Sequence, residues 1–230
     1  MNKALLLIAD IDEFIPFEEF MLGKGGVSSL CGKYKTVSGE LSGWAVTAVH
    51  SRIGKVNTAT AAAYFIALEK PDAVLNFGLA GAVSKVLRGD IVAGTSFCEC
   101  DFDLRAAGLP LGKKPQQEQS TYTPDAALLE AAKKIEGVKT GAFGTGDMFL
   151  TDSKKCAQYK REFGICAFDM ESAAAASVCF ELSVPFLSFK KISDNADDAA
   201  ISEYREMNTA RQQQLGDIAQ QILRNAAENM

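Results

Sequence analysis

Apolar and polar residues come in blocks along this chain, and the length and rhythm of each block say which secondary structure it prefers. Residues 3–9, KALLLIA, run apolar after one lysine, as a strand buried on both faces does. Residues 43–51, GWAVTAVHS, put Trp44, Val46 and Ala48 on alternate positions and predict a second strand. Residues 57–70, NTATAAAYFIALEK, have the length and composition of a helix. Apolar strands follow at 72–78 (DAVLNFG) and 89–100 (GDIVAGTSFCEC). A helix is predicted over 123–137, with Thr123 as N-cap, Pro124 at its first position and Gly137 past its end. Then come a strand at 138–145, a helix at 151–164, a strand at 165–170 (ICAFDM) and a helix starting near Glu171. The chain closes with a strand at 185–193 (PFLSFKKIS) and one long helix over 201–227. The polar, proline-bearing stretch 108–122 reads as a loop.

Strand and helix in alternation imply an α/β fold around a mixed or parallel sheet. No linker or internal repeat divides the 230 residues, so residues 1–230 are expected to form a single domain. A chain of this size buries a core without a metal or disulfide to staple it. The net charge of −5 argues against a protein that grips nucleic acid. The six cysteines form no C-x-x-C pair and His50 is the only histidine, so no metal site and no cofactor are expected. The cysteines read as small apolar residues of a reducing compartment. No segment resembles a signal peptide or reaches membrane-spanning length, and a cytoplasmic protein without membrane contact is expected.

Ligands of open α/β sheets settle at the carboxyl ends of strands. Three acids fall there: Glu13 after the first strand, Glu171 after ICAFDM and Asp194 after PFLSFKKIS. Crowded carboxylates separate in protonation state, one keeping its proton and another staying ionised. Breaking a bond to a sugar needs that division, because the leaving group takes a proton while a nucleophile meets an oxocarbenium-like carbon. The competing explanation is that an acid opening a helix, as Glu171 does, simply complements the macrodipole. Two glycine-bearing stretches sharpen the picture. FGLAGAV, with Gly78, Ala80 and Gly81, lets a ligand approach the backbone. It matches neither the dinucleotide fingerprint nor a P-loop. GTGDMFL puts Phe149 beyond a strand, where an aromatic ring can stack on a heterocycle.

Taken in order, SRIGKVNTATAAA, NFGLAGAV, GDIV, CDFDL, GTGDMFL and FDMESAAAASVCFELSVPFLSFKKISDNAD resemble the nucleoside phosphorylase and nucleosidase superfamily. The nearest likeness is to the 5'-methylthioadenosine/S-adenosylhomocysteine nucleosidases. The resemblance spans nearly the whole chain and implies a mixed, twisted sheet forming a distorted barrel surrounded by helices, assembled as a homodimer. It implies that Met170 packs on a ribose and that Glu171 accepts hydrogen bonds from its hydroxyls. Asp194, in the S-D pair with Ser193, would protonate or hydrogen-bond N7 of a departing purine. Glu13 would position the attacking water, Phe149 would stack on the base, and the Leu150 backbone would meet the base edge. The implied reaction is hydrolysis of the N-glycosidic bond of a purine nucleoside, with a small-molecule nucleoside as the only partner besides a second copy of the chain.

The chain departs from the family pattern in places. Asn76 stands where the phosphorylases carry a phosphate-binding arginine, which favours hydrolysis over phosphorolysis. Leu79 stands where nucleosidases usually carry serine, and Cys100 where they carry histidine. Arg105 and Ala107 follow the D-x-D segment where an aromatic usually closes an apolar 5' pocket. Futalosine hydrolase is a second enzyme reading that FGLAGAV suits and Asp194 opposes, since those relatives tend to have asparagine there. A purine nucleoside phosphorylase is a third. A nucleoside-binding or storage protein is the non-enzyme alternative.

Overall fold

A computed structural model describes residues 1–117, 119–197, 200–209 and 213–228. The apolar opening block forms β1 (Lys3–Ile8) at the centre of the sheet, parallel to β4 (Trp44–His50) on one side and to β5 (Ala73–Ala82) on the other. An antiparallel meander of β2 (Val27–Cys31) and β3 (Tyr34–Leu41) extends the sheet beyond β4. Ser42 and Gly43 both have positive φ, 51° and 79°, in the turn joining β3 to β4. That twist matches a two-residue hairpin.

The other half of the sheet closes on itself. β5 pairs with β10 (Phe186–Asp194), β10 with β6 (Ile91–Glu99), β6 with β8 (Val138–Thr145), β8 with β9 (Ala167–Asp169), and β9 returns to β5. A short β7 (Thr121–Tyr122) hangs on β6. The result is the expected distorted barrel with an open arm.

The helices are α1 (Ile11–Leu22), α2 (Lys55–Glu69), α3 (Ala126–Lys133), α4 (Ser153–Phe163), α5 (Ser172–Glu181), α6 (Ala200–Thr209) and α7 (Gln213–Ala227). They bury the two faces of the sheet separately. Leu6 and Ile8 of β1 pack with Phe14 and Phe17 of α1 and with Ile218 and Ile222 of α7. Leu5 and Leu7 point the other way, into a cluster with Phe65 of α2 and Ala173, Ala175 and Ala176 of α5. The alanines of α5 keep that helix close to α2 and to the barrel. Each fully buried leucine contributes roughly 1.5–3 kcal/mol, so β1 anchors both cores.

Two local expectations change, and the stretch after β1, to which the pattern assigns no element, takes shape. The segment after β1 continues directly as α1, because Asp10 caps it through the Asp12 N–H at 2.9 Å. The third helix starts later than expected: Asp125, not Thr123, accepts the first free N–H, from Leu128 at 3.0 Å. Pro124 therefore precedes the helix. The expected single C-terminal helix is described as α6 and α7, and residues 210–212 lie outside the described residues. No helix among the described residues is long and apolar enough to cross a membrane.

Candidate active site

The carboxyl ends of β1, β5, β9 and β10 open into one cavity of about 280 Å³. Sites for small molecules start near ~300 Å³. Glu13, Glu171 and Asp194 all line this cavity, as do Met170, Phe149, Leu150, Ser193, Ala80 and Gly81. Gly78 does not. It sits behind Leu79, where a Cβ would collide with the Glu13 carboxylate, so its missing side chain makes room for the acid and not for a ligand.

Glu13 occupies the first turn of α1, yet its side chain leaves the helix and accepts the Leu79 N–H of β5 at 2.8 Å. Glu171 is the N-cap residue of α5 but caps nothing there. Asp169 takes the Ser172 N–H at 3.1 Å, while Glu171 accepts the Gly54 N–H at 3.1 Å. The simple capping explanation of Glu171 therefore fails: its carboxylate is turned away from its own helix and into the cavity. Asp194 ends β10 just past a register shift against β5 between Ile192 and Asp194. Bulges of this kind re-aim side chains. The Asp194 carboxyl accepts the Ser193 hydroxyl at 2.5 Å and the Ala196 N–H at 2.9 Å. A Cβ on Gly81 would approach its Oδ1 to 2.8 Å, so glycine is needed opposite it.

The residue that sequence reasoning missed is Lys190. It lies on β10 opposite Gly78, 1 % exposed, with its ammonium 3.0 Å from Asp169 and 3.4 Å from Glu171. A lysine directly after the buried Phe189, inside a strand buried along most of its length, was the available signal. Burial pulls the Lys190 ammonium down, but Asp169, Glu171 and Glu13 together push it above the usual lysine range, so it stays charged. One cation cannot neutralise three carboxylates. Burial therefore pushes the Glu13 carboxyl up to about 8 despite Lys190, with Glu171 adding to the rise. Glu171 is likewise raised by burial and by Asp169. Asp194, further from the lysine, is raised by burial against the hydrogen bonds from Ser193 and Ala196.

The walls above the acids are apolar. Phe149 is 42 % exposed, and Tyr204 of α6 holds its ring edge-on at 5.4 Å. The Tyr204 hydroxyl donates to Asp10 Oδ2 at 2.6 Å. Ile53, Leu79 and Met148 complete the apolar lining, and no lysine or arginine lines the cavity among the described residues.

Comparison with known proteins identifies the family. Residues 4–228 match the sequence profile of the phosphorylase superfamily. The chain belongs to the phosphorylase superfamily. Its similar relatives include the 5'-methylthioadenosine/S-adenosylhomocysteine nucleosidase of Exiguobacterium sp., 35 % identical over 188 residues, or 78 % of this chain and 80 % of that one. That of Shewanella piezotolerans is 36 % identical over 178 residues, 74 % of this chain and 77 % of the relative. Among solved structures, the nucleosidase of that name from Neisseria meningitidis, in complex with methylthio-immucillin-A, superposes over 100 % of both chains with a TM-score of 0.87 and 29 % identity. A futalosine hydrolase mutant from Helicobacter pylori covers 100 % of both chains with a TM-score of 0.88, but at 24 % identity it speaks for the fold alone.

Of this superfamily member's departures, Leu79 lines the cavity and donates its N–H to Glu13, whereas Asn76, Cys100, Arg105 and Ala107 lie outside the lining. Asn76 is fully buried, donating to the Leu7 carbonyl at 3.0 Å and accepting from Ser188 at 3.0 Å, so it is a core residue and not a vestigial anion site. Arg105 lies in a 3-10 turn (Arg105–Ala107), paired with Asp103 at 2.6 Å and half exposed, and does not line the cavity. Cys98 and Cys100 place their sulfurs 3.8 Å apart. The contact with Cys98, with burial, pushes the Cys100 thiol far above the usual range, which leaves it inert. No group of His, Cys, Asp and Glu among the described residues could hold a metal ion.

Proposed function

We propose that the protein hydrolyses the N-glycosidic bond of a 5'-modified purine nucleoside, 5'-methylthioadenosine or S-adenosylhomocysteine, releasing adenine and the 5'-modified ribose. The observation that carries this reading is a cavity that gathers Glu13, Glu171 and Asp194 and, among the described residues, is lined by no basic side chain. A phosphate dianion entering it would meet acidic groups and no cation among the described lining residues, whereas neutral water would not be repelled.

In the proposed reaction Met170 packs on the ribose and Glu171 accepts hydrogen bonds from its hydroxyls. Phe149 stacks on the purine while the Leu150 backbone meets its edge. Asp194 delivers a proton to N7 as the bond between the base and C1' breaks, and the base leaves neutral. Glu13, in its ionised fraction, orients a water that attacks C1' and takes its proton. Gathering both groups in one cleft is what general acid–base catalysis requires. The raised pKa of Asp194 suits a proton donor.

We also read the protein as a cytoplasmic homodimer acting in methionine salvage. α2 exposes Val56 and Leu68, and the end of α5 exposes Phe180 and its C-cap Leu182, apolar surface that a second copy could cover. A panel of nucleosides, futalosine included, incubated with and without phosphate tests the reading. Equal release of adenine in both conditions supports hydrolysis, and release only with phosphate contradicts it.

A further inference from the structure

Helix α2 begins without a cap of its own. Its N-cap is Gly54, which offers no side chain, and its first turn holds no acid. The first free N–H groups are taken from elsewhere in the fold. Gly54 N–H goes to Glu171 Oε1 at 3.1 Å, and Lys55 N–H goes to Asp147 Oδ1 at 2.8 Å. Asp147 is thus an N-cap supplied from 92 positions along the chain. A Cβ on residue 54 would come within 3.1 Å of that oxygen.

Asp147 is itself held. Its own N–H donates to Asp101 Oδ2 at 2.8 Å, and the other oxygen of Asp101 accepts the Lys55 ammonium at 2.7 Å. Lys55 also reaches Glu99 at 2.9 Å. Burial pulls the Lys55 ammonium down, but the hydrogen bonds to Asp101 and Glu99 raise it, so the cation persists. Asp101, Asp147 and Lys55 therefore close a ring of three hydrogen bonds. The ring ties the start of α2, which carries the Gly54 N–H on Glu171, to the segment Met148, Phe149 and Leu150.

We infer that Asp101 and Asp147 are positioning residues that fix the base-stacking segment relative to the sugar-binding carboxylate. They touch no substrate. They set the distance between the two halves of the site, so that base and ribose are held in one geometry. The inference rests on the proposed nucleosidase reading. Asp101 needs both oxygens as acceptors, whereas Asp147 needs only one. The conservative variants should therefore behave differently. An amide at 147 keeps the acceptor for Lys55 N–H, and an amide at 101 faces one of two N–H donors with its own NH2.

The test measures kcat, KM for methylthioadenosine, the inhibition constant of free adenine and the melting temperature. Wild type is compared with Asp147→Ala, Asp147→Asn, Asp101→Ala and Asp101→Asn. Expected is a rise of about tenfold in KM and in the adenine inhibition constant for Asp147→Ala and both Asp101 variants, with kcat changed less than about threefold. Asp147→Asn should stay near wild type. Lower melting temperatures with unchanged KM and adenine inhibition would overturn the inference, since that pattern belongs to a cap with a structural role only. So would equal damage from Asp147→Asn and Asp147→Ala. A wild-type protein that hydrolyses no nucleoside would overturn the reading of the site and this inference with it, a result distinct from the other two.

Discussion

Replacing Glu13 by glutamine is expected to stabilise the protein in alkaline solution while disabling it. Burial holds the Glu13 carboxyl at about 8, against 4.5 for the free group. A carboxyl raised in this way keeps its proton in the folded state over a range where the unfolded chain has lost it. Its stabilising contribution is complete below 4.5 and is lost as pH climbs through about 8. At ~1.4 kcal/mol for each tenfold change in proton activity, the gap corresponds to roughly 3–5 kcal/mol once local relaxation is allowed for. Glutamine carries no charge and can still accept the Leu79 N–H. Its packing cost is the same at every pH, so the difference between two pH values isolates the charge. Urea unfolding near pH ~5 and ~9 measures it. The single tryptophan, Trp44, is 1 % exposed and donates to the Leu223 carbonyl at 2.9 Å, so its fluorescence reports the docking of α7 on the sheet. Relative to wild type, the variant should gain roughly 3–5 kcal/mol between the acidic and the alkaline measurement. A stability difference that does not change with pH would refute the buried, proton-retaining Glu13.

Asp194→Asn should keep nucleoside affinity and lower kcat by ~100-fold or more, the loss expected for a missing general acid; isothermal titration and initial rates check the two halves. Glu171→Gln should weaken ribosides more than 2'-deoxyribosides, because an amide accepts weaker hydrogen bonds from the sugar hydroxyls than a carboxylate does; the ratio of specificity constants reads this. Arg105→Ala should leave the ratio between S-adenosylhomocysteine and methylthioadenosine unchanged, since its guanidinium is spent on Asp103 outside the cavity; a shifted ratio would bring that arginine back to the 5' end.

The legible parts of this fold were those whose burial leaves a rhythm. β1, β5 and β10 stand out because strands buried on both faces read as apolar runs, and β4 because its buried residues Trp44, Val46 and Ala48 alternate. The acids at strand ends were visible as charges where a chain needing only a core has no use for them. Helix α1 was less visible, since its acids and Pro16 break the pattern, and β2 is exposed along most of its length. Lys190 was missed for a different reason. Its partners come from two distant stretches of chain, Asp169 and Glu171 from one and Glu13 from the other, and only the folded sheet brings them to it. The cap that Asp147 provides for α2 was likewise hidden, because a helix beginning at Gly54 gives no hint of where its acceptor comes from.

The most direct measurement is the fate of the water. Methylthioadenosine turned over in heavy-oxygen water, with phosphate present, should yield free adenine and a methylthioribose carrying one heavy oxygen at C1', and the yield should not depend on phosphate. A sugar phosphate without the label, or no base released at all, would contradict a cavity of carboxylates built to direct water at a ribose.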